Sequence, residues 1–301
     1  MPCSICKSEG HNRRNCGKNL CEHILLKGKN KGKTCGKRNC KFHKPVPAEF
    51  TIDKIQNDEK VSESYIKKLS EKLPCSFKDL IDNAYDLIPE LRDFCESRKN
   101  QLSIRDKGSL GKMAEFHIFG ILPNNNSAPD IRLGDIKTTH VKRVSEEYLN
   151  AKERLTITNV GSTSNYDTLN HIIDFNLEDN PRWEKIRRGI LIVLLHEKGE
   201  KWMDADNILN RKVISFFNYD ITQKEDWLKE LKSDYEKIRG RVITRTVSQK
   251  GQNFLHIHPH GCKKSSTRAF GFTNKFLTRM ICDYTNRSLI TKGKSLYFKE
   301  K

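Results

Sequence analysis

Ala128-Pro129-Asp130-Ile131-Arg132-Leu133-Gly134-Asp135-Ile136-Lys137-Thr138 carries two carboxylates and a lysine in the pattern PD-x4-DxK. Along an extended strand, side chains two apart share a face, so Asp135 and Lys137 should point the same way. Asp130 and Asp135 should end adjacent strand positions and share a Mg²⁺, an ion that takes oxygen ligands and keeps open water positions. Lys137 is then placed to position or deprotonate the attacking water. A short D…DxK also arises by chance in solvated turns, so the flanking sequence has to decide.

That flanking sequence is patterned on both sides. Ile190 to Leu195 is the longest apolar run and reads as a central strand. It follows Arg182-Trp183-Glu184-Lys185-Ile186-Arg187-Arg188, whose cations are expected to meet phosphates. Lys107-Gly108-Ser109-Leu110-Gly111-Lys112-Met113-Ala114-Glu115, continued by Phe116 to Gly120, puts Glu115 on a helix beside the strand bearing Asp130. Glu225-Asp226-Trp227 opens an amphipathic helix running to about Ile238, with Trp183 and Trp227 as packing anchors. Ser62 to Cys95 reads as two helices with Pro74 between them. From about Ile104 onward, helical and strand-like pieces alternate, which predicts an α/β fold. The expected organisation is a basic zinc module over 1–46, a helical linker or N-terminal subdomain over 47–103, and a catalytic domain over 104–301.

The charge balance points to a polyanion. The 301 residues carry 56 Lys and Arg against 38 Asp and Glu, a formal net charge of +18. Such an excess is the footprint expected of nucleic-acid binding, although charge alone also fits a membrane surface or an acidic protein. A hydrophobic content of 36% is enough for a packed core. The run Ile190 to Leu195 is far short of the roughly 20 residues that span a bilayer. Met1-Pro2-Cys3 opens straight into polar, cysteine-rich sequence without a signal peptide. The expectation is an intracellular protein of cytoplasm or nucleus, with no membrane partner.

Residues 1–44 hold twelve Lys and Arg and two acids, net +10, together with six of the ten cysteines. They have too few aliphatic residues to bury a core, so metal is the expected organiser. Cys3, Cys6, His11 and Cys16 follow C-x2-C-x4-H-x4-C, the spacing of a CCHC zinc knuckle, in which three thiolates and one imidazole surround a tetrahedral Zn²⁺. Arg13 and Arg14 inside that loop suit a nucleic-acid contact. Cys21, Cys35, Cys40 and His43 suggest a second Zn²⁺, with the basic loop Lys27 to Lys33 between the first two ligands. Cys75, Cys95, Cys262 and Cys282 stand apart and read as buried thiols.

The block around Asp130 resembles the MutH-type endonuclease family, the mismatch-repair nicking enzymes and their GATC-cutting restriction relatives. The family's block reads KG-x2-G-x3-E, then D, then ExK-T. Lys107, Gly108, Gly111 and Glu115 match its spacing without a gap, and Lys185 falls where the family has a further active-site lysine. Phe254-Leu255-His256-Ile257-His258-Pro259-His260-Gly261 resembles the family's L-x-I-R-P-K loop, which enters the DNA groove. Arg268-Ala269-Phe270-Gly271-Phe272-Thr273-Asn274-Lys275-Phe276 resembles its closing F-x-L-K strand. The likeness keeps its order over about residues 104–290 and leaves out the zinc segment. Three departures stand out. Asp135 replaces the Glu of ExK, the Asp130-to-Asp135 gap is shorter than the family's, and His258 and His260 replace Arg and Lys.

The resemblance implies a restriction-endonuclease-like fold, a mixed central sheet flanked by helices with a DNA cleft open on one side. It implies Mg²⁺-dependent, sequence-specific hydrolysis of double-stranded DNA at GATC or a related short site, by a monomer or a DNA-induced dimer. Glu115, Asp130 and Asp135 would hold the Mg²⁺. Lys137 would activate water, and Lys107 and Lys185 would touch the scissile phosphate. His258, Pro259, His260, Gly261, Lys263, Arg268 and Lys275 would contact DNA. An unperturbed histidine titrates at about pH 6.5, so base reading by His258 and His260 should vary between about pH 5.5 and 8. The competing readings are a non-catalytic zinc-knuckle nucleic-acid-binding protein with a vestigial nuclease fold and, from the knuckle alone, an RNA-processing enzyme.

Overall fold

The computed structural model describes residues 49–102, 108–122, 128–197, 205–247, 251–261, 265–293 and 295–300. All eight expected zinc ligands, Lys107, Cys262 and Lys263 lie outside these residues. The helices are α1 (Ile52–Asn57), α2 (Glu59–Ser70), α3 (Phe77–Leu87), α4 (Pro89–Arg98), α5 (Ser109–Phe119), α6 (Asn170–Asp174), α7 (Trp183–Arg187), α8 (Ala205–Asn210), α9 (Glu225–Ile243) and α10 (Asn274–Thr285). The strands are β1 (Cys75–Ser76), β2 (Asp135–Arg143), β3 (Tyr148–Ala151), β4 (Leu155–Ser162), β5 (Arg188–His196), β6 (Lys212–Asp220), β7 (Leu255–Pro259), β8 (Thr267–Phe272), β9 (Leu289–Lys292) and β10 (Ser295–Lys299).

Ser62 to Cys95 covers parts of three helices rather than the expected two: α2 and α3 part around Pro74 as expected, and the extra boundary falls at Ile88–Pro89. Asp58 accepts from the amides of Lys60 and Val61 and so starts α2 directly after α1. Ser76 and Asp79 form a capping box at the start of α3, and Pro89 occupies the first turn of α4, where its missing N–H costs nothing. Gly120, at φ 66°, ends α5 in the left-handed conformation that a side chain would disfavour.

The central sheet has seven strands in the order β1-β6-β5-β2-β3-β10-β9. β2 and β5 run parallel, and every other neighbouring pair is antiparallel, so the expected mixed sheet is mostly antiparallel. β5 is buried along nearly its whole length because both faces of the sheet are covered. Ile190, Ile192 and Leu194 face a core built with α1 to α5, including Tyr65, Phe77, Leu91 and Phe119. Leu191, Val193 and Leu195 face the opposite core, with Trp227, Tyr235, Phe270 and Phe276. The helices between residues 52 and 98 thus share their core with α5, β5 and β6, and residues 50–301 form one compact unit. Trp183 and Trp227 are both buried in that second core. Cys95 and Cys282 are buried free thiols, whereas Cys75 is half-buried.

A second sheet, in the order β4-β8-β7, packs into the same core. Its edge strand β7 is pinned by a single carboxylate. Asp234 on α9 is fully buried and accepts from the amides of Asn253, Phe254 and Leu255 at 2.6–3.1 Å. Lys237 Nζ, 3.1 Å away, balances its charge. Removing the carboxylate would strand three amides at the entry to β7. Asp234→Ala is therefore expected to cost about 3 kcal/mol in urea unfolding, more than loss of an exposed ion pair. A loss below about 1 kcal/mol would show that β7 does not depend on this anchor.

Candidate active site

Asp130 and Asp135 come together through a tight turn rather than through adjacent strand positions. Asp130 precedes the strand, Ile131 bridges to Gly134, and Asp135 is the first residue of β2. The amide of Asp130 donates to Asp135 Oδ1 at 3.2 Å, and the amide of Ile136 donates to Asp130 Oδ2 at 2.8 Å. The shorter Asp130-to-Asp135 gap is thus accommodated by a reverse turn. Gly134 makes that turn possible. Its φ of 141° suits glycine, and a Cβ there would sit 2.7 Å from Gly189 Cα.

Asp135 is 1% exposed and held by two lysines. Lys137 Nζ lies 2.9 Å from Oδ2, as expected of residues two apart on one strand face. Lys185 Nζ, from α7, lies 3.3 Å from Oδ1. The Lys137 contact is an ion pair without hydrogen-bond alignment, so Oδ2 accepts no hydrogen bond.

Glu115 stands on α5, which packs beside β2. Burial, reinforced by Asp130 and Asp135 and opposed by Lys137, pushes its carboxyl up to about 7. Asp130 is also raised, first by burial and then by Asp135. Three carboxylates against two lysines leave the site one positive charge short. All-oxygen donors, an unsatisfied carboxylate oxygen and this charge deficit fit a hard divalent cation such as Mg²⁺. Among the described residues, no three His, Cys, Asp or Glu side chains converge closely enough to hold a metal ion, so Glu115, Asp130 and Asp135 would have to draw together round a cation.

Glu115 and Lys137 open onto a groove of about 960 Å³. One side is α5, with Gly108, Gly111 and Lys112. The other is formed by Glu153, Arg154 and Thr156 at the start of β4, and by Pro259, His260 and Gly261 after β7. His140 lines the groove as well. Arg211 Nη1 lies 3.1 Å from its Nε2, and burial first, then Arg211, pushes its pKa down to about 3.

The expected DNA-contact residues divide. Leu255 to Pro259 is a paired strand rather than a loop. Pro259, His260 and Gly261 are exposed at the groove, but His258 is 3% exposed. The His258 ring stacks on that of His256, their centroids 4.7 Å apart, and its Nε2 is 3.1 Å from Thr156 Oγ1. Burial first, then His256, pushes His258 down to about 3. It therefore stays neutral throughout pH 5.5–8, contrary to the titration expected from its unperturbed value. Arg268 turns back onto its own hairpin and donates to the carbonyls of Ser265 and Thr267. Lys275 lines a separate pocket with Glu230 and Arg279. Arg187 pairs with Glu184, and Arg188 pairs with Glu59, each at 2.8 Å.

Four groups escaped the sequence reading. His140, Glu153 and Arg154 reach the groove only because β2 and β4 border it, although the charged pair at a strand start was a weak visible signal. Tyr219, buried beside Asp135 across the sheet, left no sequence signal. A comparison with known protein families gives no match, and no curated protein matches the chain.

The raised Glu115 carboxyl has a consequence for the metal-free protein. The folded state keeps this proton up to about 7, whereas an unfolded glutamate loses it at its ordinary, lower value. Stability therefore falls as pH rises through that window, because the unfolded state binds fewer protons there. Thermal unfolding in chelator between about pH 5 and 8 should show the decline, and Glu115→Gln should flatten it. An unchanged slope in the glutamine variant would remove Glu115 as its source.

Proposed function

We propose that this chain is a metal-dependent endonuclease that hydrolyses phosphodiester bonds in double-stranded DNA, of the MutH type its sequence resembles. The reading includes a restriction-endonuclease-like fold. What supports it most is the grouping of Asp130, Asp135, Lys137, Lys185 and Glu115 at one end of β2, beside a groove.

In this reading Glu115, Asp130 and Asp135 would close round Mg²⁺, and the ion would supply Lewis-acid stabilisation of charge on the phosphoryl oxygens. The remaining roles fall to the chain's own side chains. Lys137, 2.9 Å from Asp135, sits where it can orient a water for in-line attack. Lys185 fixes the other Asp135 oxygen and adds a buried positive charge next to the phosphate. Lys112 and Arg154, on opposite groove walls, contact flanking phosphates. Pro259, His260 and Gly261 approach base edges, with GATC or a related four-base sequence as the site. Two Zn²⁺ ions, on Cys3, Cys6, His11 and Cys16 and on Cys21, Cys35, Cys40 and His43, organise the basic N-terminal segment and add sequence-independent affinity.

One observation favours the non-catalytic alternative. Asp135 is already neutralised by two lysines, an arrangement that also suits a purely structural ion cluster. Cleavage separates the two readings. Incubated with unmethylated duplex DNA, the protein should cut with Mg²⁺ and stop with chelator. Asp130→Ala should lower the rate by about 10³-fold or more while duplex binding persists, since the change removes a ligand and a charge that repels DNA. Near wild-type cutting by Asp130→Ala would place the chemistry elsewhere, and binding without any cutting by the wild type would favour the alternative.

The zinc modules have a separate readout. Purified protein should carry two zinc ions, with Cys6→Ser and Cys40→Ser each losing one. Deleting residues 1–44 should weaken binding to all duplexes and flatten its salt dependence without moving the cut positions. A changed cut sequence would mean that the zinc segment reads bases.

A further inference from the structure

Tyr219 lies in a row with Asp135. In the register of the central sheet, Asp135 on β2 is opposite Gly189 on β5, and Gly189 is opposite Tyr219 on β6. Such neighbours project from the same sheet face. Gly189 contributes no side chain, and the phenol fills the space it leaves. A Cβ on Gly189 would lie 2.8 Å from Tyr219 Oη and 2.9 Å from the Asp135 carbonyl oxygen. The tyrosine hydroxyl therefore lies over the glycine on the side of the Asp135 backbone carbonyl, within range of the Asp135 charge.

Both ends of this row are unsatisfied. Tyr219 is 2% exposed and its hydroxyl has no hydrogen-bond partner. Asp135 is 1% exposed and its Oδ2 accepts no hydrogen bond. An unused buried donor beside a buried carboxylate oxygen met only by an ammonium is an arrangement that native proteins rarely leave standing. The ring cannot swing away, because it packs edge-on to Phe272, 6.1 Å between centroids, within the core. Burial, and after it the Asp135 charge, keeps the phenol protonated, so it is a donor at every working pH.

We propose that Tyr219 is a positioning residue whose hydroxyl donates to Asp135 Oδ2, directly or through one water, and fixes the rotation of that carboxylate. Lys137 and Lys185 hold Asp135 by charge, which constrains distance more than direction. A phenol hydroxyl anchored by a buried ring constrains direction, and so sets which lone pairs remain for a cation. The hydrogen bond stands on the sheet geometry alone. Its effect on cleavage rests on the endonuclease reading.

Tyr219→Phe removes the hydroxyl and keeps the ring. The first measurement is a double-mutant cycle in chelator, with thermal unfolding of wild type, Tyr219→Phe, Asp135→Ala and the double variant. Tyr219→Phe should lower Tm by about 2–4 °C in the wild type and by under about 1 °C when Asp135 is alanine. Equal losses in both backgrounds overturn the proposal. The second measurement is cleavage. Tyr219→Phe should lower kcat roughly tenfold and raise the Mg²⁺ concentration for half-maximal rate, with KM for DNA unchanged. An unchanged kcat and Mg²⁺ dependence in an active protein also overturns it, and this arm decides alone if Asp135→Ala does not fold. Coupling in the unfolding cycle without cleavage by the wild type supports the hydrogen bond while sinking the nuclease reading. Cleavage without coupling does the reverse.

Discussion

The contact between Gly134 and Gly189 is the constraint from which the rest of the site follows. The backbone of the Ile131–Gly134 turn is pressed against the start of β5 so closely that a Cβ on Gly134 would lie 2.9 Å from Arg188 O. The contact puts the start of β2 level with the start of β5 and so begins the parallel ladder at Asp135 and Gly189. Asp135 then stands at the end of the sheet, where α7 can deliver Lys185 and α5 can deliver Glu115. A side chain at Gly134 would force the turn off β5, and one at Gly189 would collide with the Asp135 carbonyl and the Tyr219 phenol. The short gap between Asp130 and Asp135 and the two glycines are therefore one feature, a compact turn that substitutes for a longer excursion.

Electrostatics then sorts the groups by depth. Asp135 lies deepest and has two cations, whereas Glu115, at the groove, and Asp130 are less buried and are pushed toward protonation. A cation arriving from the groove would meet the least satisfied oxygens, and Lys137, at the groove wall, would meet it with Asp135 already in hand. The histidines follow the opposite logic. His140, His256 and His258 are all driven to the neutral form, chiefly by burial. Of these, His140 and His258 line the groove, whose charge on that wall comes from Glu153 and Arg154.

The pattern of the site was legible where it depended on local spacing and obscure where it depended on register. Asp135 and Lys137 share a face because strand geometry requires it, and Lys185 followed from its place just before the apolar run. Asp130 was read into a strand because nothing local distinguishes PD before a strand from PD in a turn. The distinction lies in Gly189, 55 residues away from Gly134. An exposed, base-reading His258 follows only from the likeness of Phe254 to Gly261 to the family's groove loop. The pairing of β7 with β8, anchored by Asp234, makes that segment an edge strand instead. The break before Ser76 was legible from Pro74, whereas the apolar periodicity ran on past Ile88 and hid the boundary between α3 and α4. Tyr219 looked like any core aromatic, since only the sheet order sets it across from a glycine.

The uneven charge of the chain bears on how the proposed chemistry and affinity divide. Residues 1–44 carry net +10 of the total +18, leaving +8 for 45–301. In that longer part, Arg187, Arg188, Arg143 and Lys224 are tied to Glu184, Glu59, Glu300 and Asp283, so they present less charge to a polyanion than their number suggests. With those cations tied to acids, contact with phosphates falls to fewer side chains, among them Lys112 and Arg154 at the groove. Bulk attraction grows with the number of phosphates met by cations and falls with salt. On the proposed reading, the N-terminal segment supplies most of that attraction, and the groove supplies selectivity and hydrolysis. Because affinity and chemistry then reside on different stretches of chain, each can be removed without the other. An enzyme that gripped DNA mainly through its catalytic cleft would lose both together.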